Sequence, residues 1–353
     1  MSTTSTAGLL PRQDEEVTVH FLARAAAVDR GDDDVRPGLR WLGERNLLDV
    51  GAPDRGDGRL LPLLGTVESV ARGCLSSAFA LWAQRMTVEY LSRARPTALT
   101  EEFLGGLRSG RVTGASAMAP ALKELSGLGR IPAVARKVDG GYRVDGPIPW
   151  ASNLFPGAVV VLPARLDSPG REERVIVALR VGDEGVRVRP FPALLALNGT
   201  ASSSVELRDV FVPQEAVLST DLPSFCSSVR TTFLLIQTAF CSGLAAESLA
   251  QAERSLDGPD VVFADDLREL QAALASVRER LARYAAAPPA PAEVTRLRLD
   301  AAGTAVAATR LESAVKGGAG FLAAGHTARR VREAVFLPVQ SPTEGHLRWD
   351  LER

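Results

Sequence analysis

The sequence contains few of the residues that build metal or redox centres. It has three cysteines and three histidines in 353 residues, and they are not spaced as metal ligands or as a redox pair. An odd number of cysteines, with no basic-then-apolar segment at the start, favours the reducing cytoplasm. We therefore predict a cytoplasmic protein without a bound metal.

The chain also lacks a strong charge of either sign. Lysine and arginine together number 41, and aspartate and glutamate number 42, which leaves a net charge of -1. This balance offers no basic face to a nucleic acid or to an anionic membrane. The longest apolar stretch, "FLLIQTAFCSGLAA", is too short and too polar to span a bilayer. We expect a globular protein that binds neither nucleic acid nor membrane.

Several common ligand-binding motifs are missing as well. No Rossmann GxGxxG follows a strand pattern, and the sequence has no P-loop and no GxSxG. What the sequence does have is an apolar period that changes twice. Apolar residues recur every three or four positions over 15–108, every two positions over 109–215, and every three or four positions again over 216–353. This pattern predicts an N-terminal helical domain, a middle β-barrel-like domain and a C-terminal helical bundle with a tail.

The segment "PIPWASN", from Pro147 to Asn153, places a tryptophan at the edge of a predicted strand. Trp150 is followed by three small residues, two of which carry a hydroxyl or an amide group. One interpretation is a flat ring that lies against a flat ligand. The alternative is a core residue that plugs one end of the barrel.

Six segments in this order resemble the acyl-CoA dehydrogenase superfamily of flavoproteins. They are "GLRWLGERNLLDVGAP", "SGRVTGASAMAP", "WASN", "LNGTASSSVELRDVFVP", "GGAGF" and "RVREAV". The resemblance extends from about Glu15 to Leu351. It implies an α+β protein with an N-terminal helical domain, a middle β-barrel domain and a C-terminal four-helix bundle. The implied cofactor is FAD, and FMN is also possible.

The resemblance also implies which residues contact the flavin. Trp150 would lie against the isoalloxazine ring, and the Ser152 hydroxyl would bind near flavin N5. A glycine turn late in the last long helix would let the backbone approach the dinucleotide part of a neighbouring subunit's FAD. The alternative for that turn is a helix C-cap. The cofactor-binding residues implied in this way are Trp150, Ser152, Thr200, Phe263, Gln271, Gly317 and Gly318.

The chain departs from the family pattern at the end that would bind ADP. Family members usually carry an arginine three residues before the phenylalanine, where it holds the FAD pyrophosphate. That position is Asp260 in this chain. The usual glutamine three residues before the Gly-Gly pair is Ala314, and a Thr-Glu pair in the β-domain is Met118-Ala119. The ring end of the site is therefore kept, whereas the ADP end is altered.

The position of the catalytic base has two possible registers. In most of the dehydrogenases a glutamate before a glycine removes the α-proton of an acyl thioester while the β-hydride goes to flavin N5. Counting from Arg332 without a gap places Ser341 at that position, and a shift of three places Glu344 there. We predict Glu344 as the base because Gly345 follows it. The alternative is an exposed carboxylate of the tail.

Three functions fit this resemblance. The first is α,β-desaturation of an acyl thioester, with an electron-transfer flavoprotein as the partner, and we place it ahead of the others because Glu344 and Gly345 are present. The second is a monooxygenase that uses reduced flavin from a separate flavin reductase, with O2 and another small-molecule substrate. The third is a flavin-poor subunit of a heteromeric dehydrogenase. A homodimer or tetramer is expected through the C-terminal helices, or else a hetero-oligomer with a related subunit.

Overall fold

The computed structural model of the chain describes residues 14–56, 59–167 and 172–353. Helices come first, a sheet follows, and helices return, which confirms the predicted order. The α-helices are α1 (Glu15–Arg30), α2 (Arg36–Glu44), α3 (Leu60–Gly73), α4 (Leu75–Arg93), α5 (Ala98–Arg108), α6 (Ala119–Leu125), α7 (Leu222–Arg254), α8 (Ala264–Ala286), α9 (Pro291–Lys316), α10 (His326–Phe336) and α11 (Glu344–Glu352).

The described strands form one mixed sheet in the middle of the chain. The sheet order is β6-β7-β3-β2-β4-β5-β8, and β1 pairs with β4 in parallel. The apolar side chains of β5 and β7 belong to one buried cluster, so the sheet curls around its own core. The strands are β1 (Gly114–Ser116), β2 (Val134–Val138), β3 (Gly141–Ala151), β4 (Val159–Leu166), β5 (Arg174–Arg180), β6 (Val186–Pro190), β7 (Ser203–Pro213) and β8 (Val217–Ser219).

Helix α7 is the central element of the C-terminal bundle. It has 33 residues and is buried on nearly all sides by α3, α8 and α9. At Gly243 a Cβ atom would lie 2.3 Å from the carbonyl oxygen of Glu68, so the close packing of α3 on α7 requires glycine. The helix is long and apolar enough to cross a membrane, but 89% of its most apolar window is buried inside the protein. The stretch considered too short for a span thus belongs to a longer helix that forms part of the core.

Three arginines attach the short helix α10 to three other helices. Arg329 donates to the carbonyl oxygen of Gly73 at the end of α3, at 3.0 Å. Arg330 forms a two-pronged, buried ion pair with Glu312 of α9, with Nε 2.8 Å from Oε2. Arg332 forms an ion pair with Asp29 of α1. Because a guanidinium holds a carboxylate in a fixed orientation, these contacts determine where α10 lies.

The C-terminal helix α11 is held against the middle domain by one residue, Ser126. The Ser126 hydroxyl donates to Asp350 at 2.7 Å, so it accepts from Nε2 of His346 at 2.8 Å. The Ser126 carbonyl oxygen accepts from Nε1 of Trp349 at 3.0 Å. The His346 imidazole therefore carries a proton on Nε2, and its buried Nδ1 has no hydrogen-bond partner among the described residues.

This arrangement predicts a pH dependence of stability. Burial lowers the pKa of His346; Asp350 opposes that shift, and Arg230 adds to it. The unfolded chain therefore binds a proton at His346 before the folded chain does, and stability falls as the pH drops below about 6.5. We expect His346→Gln to reduce the slope of the unfolding free energy between about pH 7.5 and about pH 5.5. Urea unfolding at several pH values measures this slope, and an unchanged slope would mean that the pKa of His346 is the same in the folded and unfolded chains.

Candidate functional site

A cavity of about 810 Å³ lies between the sheet and the helices. Its size falls within the range of small-molecule sites. One wall is formed by the end of β3 and the loop before β7, and the opposite wall by α4, α7, α10 and the segment after α10. Of the predicted site residues, Trp150 and Ser152 line this cavity.

Trp150 lies on β3, and its ring packs on Phe191 with centroids 3.9 Å apart. About 58% of Trp150 is still exposed, which is unusual for an aromatic ring at a cavity wall. The turn after it is fixed by Asn153, whose backbone is left-handed and whose amide donates to the carbonyl oxygens of Ala80 and Gly114 at 2.9 and 3.0 Å. Trp150 therefore presents its indole to the cavity from a rigid position and is suited to stacking against a flat ligand.

Three hydroxyl groups form a chain that ends in the cavity. Thr200 donates to the carbonyl oxygen of Leu197 at 2.7 Å, which uses its only proton. Ser202, 2.7 Å from Thr200, therefore donates to it, and Ser152, 2.6 Å from Ser202, donates in turn. The Ser152 oxygen is left as an acceptor toward the cavity. Reversing the direction would break the bond to Leu197.

The opposite wall is aromatic. Phe79 and Trp82 of α4 stack with centroids 5.4 Å apart, Phe336 of α10 meets Phe79 edge-on, and Phe233 of α7 meets Trp82 edge-on. All four residues line the cavity. Such a wall excludes water and binds an apolar group.

Among the described residues that line the cavity, none is an aspartate or a glutamate, whereas Lys123, Arg130 and Arg332 are cationic. Glu344 lies elsewhere, at the start of α11, beside a second cavity of about 500 Å³ between α8, α9 and α11. Its side chain is 45% exposed and forms an ion pair with Arg348 at 2.7 Å. Ser341 does line the main cavity, and its hydroxyl has no hydrogen-bond partner within the described ranges. The structure thus brings Ser341, and not Glu344, to the cavity wall.

The remaining predicted residues lie outside the cavity. Phe263 precedes α8, Gln271 lies on α8, and the glycine pair follows α9. Since α8 and α9 pack as neighbours joined by a short link, Phe263 and Gly317 lie at the same end of this helical hairpin. Gly317 has a φ of +54°, which favours glycine, but Gly318 has neither a positive φ nor a neighbour within 4 Å of a Cβ atom. Nothing in the described chain explains glycine at 318, so that position is open to a contact from outside.

The same end of the hairpin carries Asp260, which forms no ion pair with any described residue. A flavin ring fits the cavity beside Trp150 and Ser152. A pyrophosphate would meet an anion at the hairpin end, where the family pattern has a cation. The fit is therefore good for the ring and poor for the ADP part.

Sequence reasoning marked none of Ser202, Arg332 and Gln340, which line the cavity, and did not mark Phe191, which packs on Trp150. Ser202 lies within the quoted segment "LNGTASSSVELRDVFVP", and Arg332 within "RVREAV", but no pattern marked either as a wall residue. Phe191 and Gln340 carry no motif at all. Only the packing of distant segments reveals them.

Sequence comparison finds two distant relatives, and no family model matches the chain. A segment of 184 residues, 51% of this chain, is 27% identical to the mitochondrial isovaleryl-CoA dehydrogenase of Arabidopsis thaliana. A segment of 82 residues, 23% of this chain, is 35% identical to the oxygenase subunit of a flavin-dependent monooxygenase from Rhodococcus jostii (strain RHA1). The matches span 45% and 21% of those two proteins, so the chain covers less than half the length of either relative.

Comparison of structures extends over almost the whole chain. A glutaryl-coenzyme A dehydrogenase in complex with glutaryl-CoA matches with a TM-score of 0.86 at 16% identity, covering 96% of this chain and 92% of that one. Butyryl-CoA dehydrogenase from Megasphaera elsdenii matches with a TM-score of 0.84 at 17% identity, covering 96% of each chain. A nitroalkane oxidase crystallised with 1-nitrooctane matches with a TM-score of 0.82 at 15% identity, covering 96% and 93%. The chain therefore has the fold of the acyl-CoA dehydrogenase superfamily, and the resemblance to that superfamily carried by its sequence is confirmed.

Proposed function

We propose that this chain is a flavin-dependent oxidoreductase that binds the flavin ring beside Trp150 and Ser152. The exposed indole offers a stacking surface, and the Ser152 oxygen offers a hydrogen-bond acceptor next to it. The aromatic wall on the other side of the cavity holds the apolar part of a small-molecule substrate. When bound, the flavin would supply the redox chemistry, and the chain would supply orientation and exclusion of water.

Oxygenation of the substrate with reduced flavin and O2 is the reaction that the geometry favours. The observation that carries this choice is the lack of a carboxylate among the described residues that line the cavity. Desaturation of an acyl thioester needs a base within hydrogen-bond reach of the α-proton. Oxygenation of this type needs no such base. The 35% identity of one segment to a monooxygenase oxygenase subunit supports the same choice.

The direction of the hydroxyl chain supports reduced flavin as the bound form. Ser152 offers an acceptor, because its proton is used by Ser202. An acceptor is complementary to an N–H group, and N5 of a flavin carries a proton in the reduced state only. The chain would therefore take up flavin that a partner reductase has already reduced.

Acyl thioester desaturation is the second candidate. Glu344 follows directly after Thr343, which lines the cavity, and the relative with the longer matched segment is a dehydrogenase. In this case Glu344 would have to leave Arg348 and turn toward the cavity. The redox partner would then be an electron-transfer flavoprotein.

An oligomer built on the α8–α9 hairpin end is part of this proposal. Four large apolar side chains are exposed there, beside Gly318, and a second subunit would bury them. They are Val261, Val262, Phe321 and Leu322. A homodimer or tetramer would complete the flavin site across this interface. A related subunit with its own flavin is the alternative, since Asp260 suits a chain that does not hold FAD phosphates itself.

The first test of the flavin site is Trp150→Ala. Loss of the stacking surface should weaken FMN and FAD binding by about 2 kcal/mol, roughly 30-fold in Kd. Flavin titration followed by absorbance or fluorescence measures this loss. Phe211→Ala is a matched control, because Phe211 is an exposed aromatic residue of the same sheet that does not line the cavity. Equal flavin affinity in wild type, Trp150→Ala and Phe211→Ala would contradict the placement of the flavin ring beside Trp150.

The second test separates the two reactions through Glu344→Gln. If oxygenation is the reaction, this variant should form product at the wild-type rate with O2 and a flavin reductase. If Glu344 is a base, acyl-CoA oxidation with an artificial electron acceptor should fall by about 10²–10⁴-fold. Glu352→Gln on the same helix is the control for the loss of charge. A large loss confined to Glu344→Gln would reject the oxygenase in favour of the dehydrogenase.

The third test concerns the choice between FAD and FMN. Asp260→Arg should add charge-assisted hydrogen bonds to the pyrophosphate of FAD worth about 1.5–3 kcal/mol, which is roughly 10- to 100-fold in Kd. FMN has no ADP part and should gain little. Asp257→Arg in the same turn makes the same charge change at an exposed position. An equal gain for both flavins, or no gain for either, would show that Asp260 does not face the phosphates.

A further inference from the structure

Arg298 of α9 is a fully buried cation that has no carboxylate partner among the described residues. It is 1% exposed, and all of its observed partners are neutral oxygens. Its Nε donates to Oε1 of Gln237 at 3.0 Å, and its Nη2 donates to Oε1 of Gln340 at 3.1 Å and to the carbonyl oxygen of Leu337 at 3.2 Å. A buried guanidinium requires acceptors on its N–H groups, and two glutamine side chains supply them here.

This contact determines which way both carboxamides face. A guanidinium donates hydrogen bonds and cannot accept them, so each glutamine must turn its oxygen toward Arg298 and its NH2 group away. The NH2 group of Gln237 then donates to the carbonyl oxygen of Ser341 at 3.0 Å. The NH2 group of Gln340 is buried and has no hydrogen-bond partner in the described part of the chain.

Gln340 lies in the wall of the main cavity, between Val339 and Ser341. Only 4% of its surface is exposed, and the same cavity is lined by the aromatic wall of Phe79, Trp82, Phe233 and Phe336. An unpaired N–H group in such surroundings is unfavourable unless a ligand supplies the missing acceptor. Arg298 holds the carboxamide oxygen, so the NH2 group is the end of Gln340 that is left to bind a ligand.

We propose that Gln340 is a binding residue that donates a hydrogen bond to an oxygen of the cavity's ligand, and that Arg298 is the positioning residue that holds its carboxamide in the donating orientation. The ligand class that fits is an apolar molecule with a carbonyl or similar acceptor oxygen at the end that lies against the aromatic wall. This inference rests on the proposed function only in taking the cavity as the substrate site.

A pair of molecules with the same shape tests the inference. Cyclohexanone has a C=O group where methylenecyclohexane has a C=CH2 group. Only cyclohexanone therefore offers a hydrogen-bond acceptor. The quantity to measure is the ratio of their Kd values, by calorimetry on the full-length protein. The ratio removes the general apolar contribution to binding, and a change in the fold alone would not shift it in favour of one molecule.

Gln340→Glu is the most informative variant. Its carboxylate still accepts from Arg298, so thermal unfolding should occur at the wild-type temperature or above. An acceptor oxygen then replaces the donating NH2 group. We expect the selectivity for cyclohexanone to fall by about tenfold in Gln340→Glu and in Gln340→Met, the latter with lower stability. Gln214→Glu, at an exposed position, is the charge control and should match wild type.

The role of Arg298 is tested by the same ratio. Arg298→Lys keeps a donor-only cation and should retain the selectivity, whereas Arg298→Gln frees the Gln340 carboxamide to turn and should lose it. The inference is overturned if the ratio is the same in wild type and in both Gln340 variants, or if wild type binds neither molecule. Flavin titration of the same samples separates the two proposals. If the selectivity for cyclohexanone is retained but no flavin binds, only the proposed flavin site is rejected. If flavin binds but the selectivity is absent, only the role of Gln340 as a hydrogen-bond donor is rejected.

Discussion

The cavity depends on the attachment of α10 by its arginines. The helix has 11 residues, and three of them, Arg332, Val335 and Phe336, line the cavity. The buried ion pair of Arg330 with Glu312 is the contact that tolerates the least change, because removing one partner of a buried pair typically costs about 3–5 kcal/mol. With α10 fixed, Phe336 meets Phe79 and closes the aromatic wall.

The wall of the cavity on the sheet side is stabilised by local backbone conformation, whereas ion pairs hold α10. Its shape comes from backbone conformations that few side chains adopt, with positive φ at Asn153, Leu197 and Ala201. Side-chain amides of Asn153 and Asn198 bind the surrounding carbonyl groups and so maintain these turns. One wall is thus set by ion pairs between helices and the other by local backbone geometry.

The electrostatic character of the cavity follows from the ion pairs and hydrogen bonds that its neighbouring charged residues form. Arg332 is neutralised by Asp29, and Glu344 is paired with Arg348 outside the cavity. Arg298 donates from Nε to Gln237 and from Nη2 to Gln340, and so orients both carboxamides. The interior thus carries donors and acceptors in fixed directions but no carboxylate among the described lining residues. Under the function proposed above, such a site would hold a polarised oxygen and a flat ring.

The sequence by itself determined the order of helices, sheet and helices, because the apolar period is a local property that each segment carries alone. It also located the tryptophan and serine that meet at the cavity, since they are two residues apart. Only the tertiary structure decided the side on which Glu344 lies, because that depends on where α11 begins and which helix face it packs. Only the tertiary structure, too, joined Arg298 to Gln237 and Gln340, which are 61 and 42 residues away. Such contacts are set by burial between distant segments, and no spacing in the sequence encodes them.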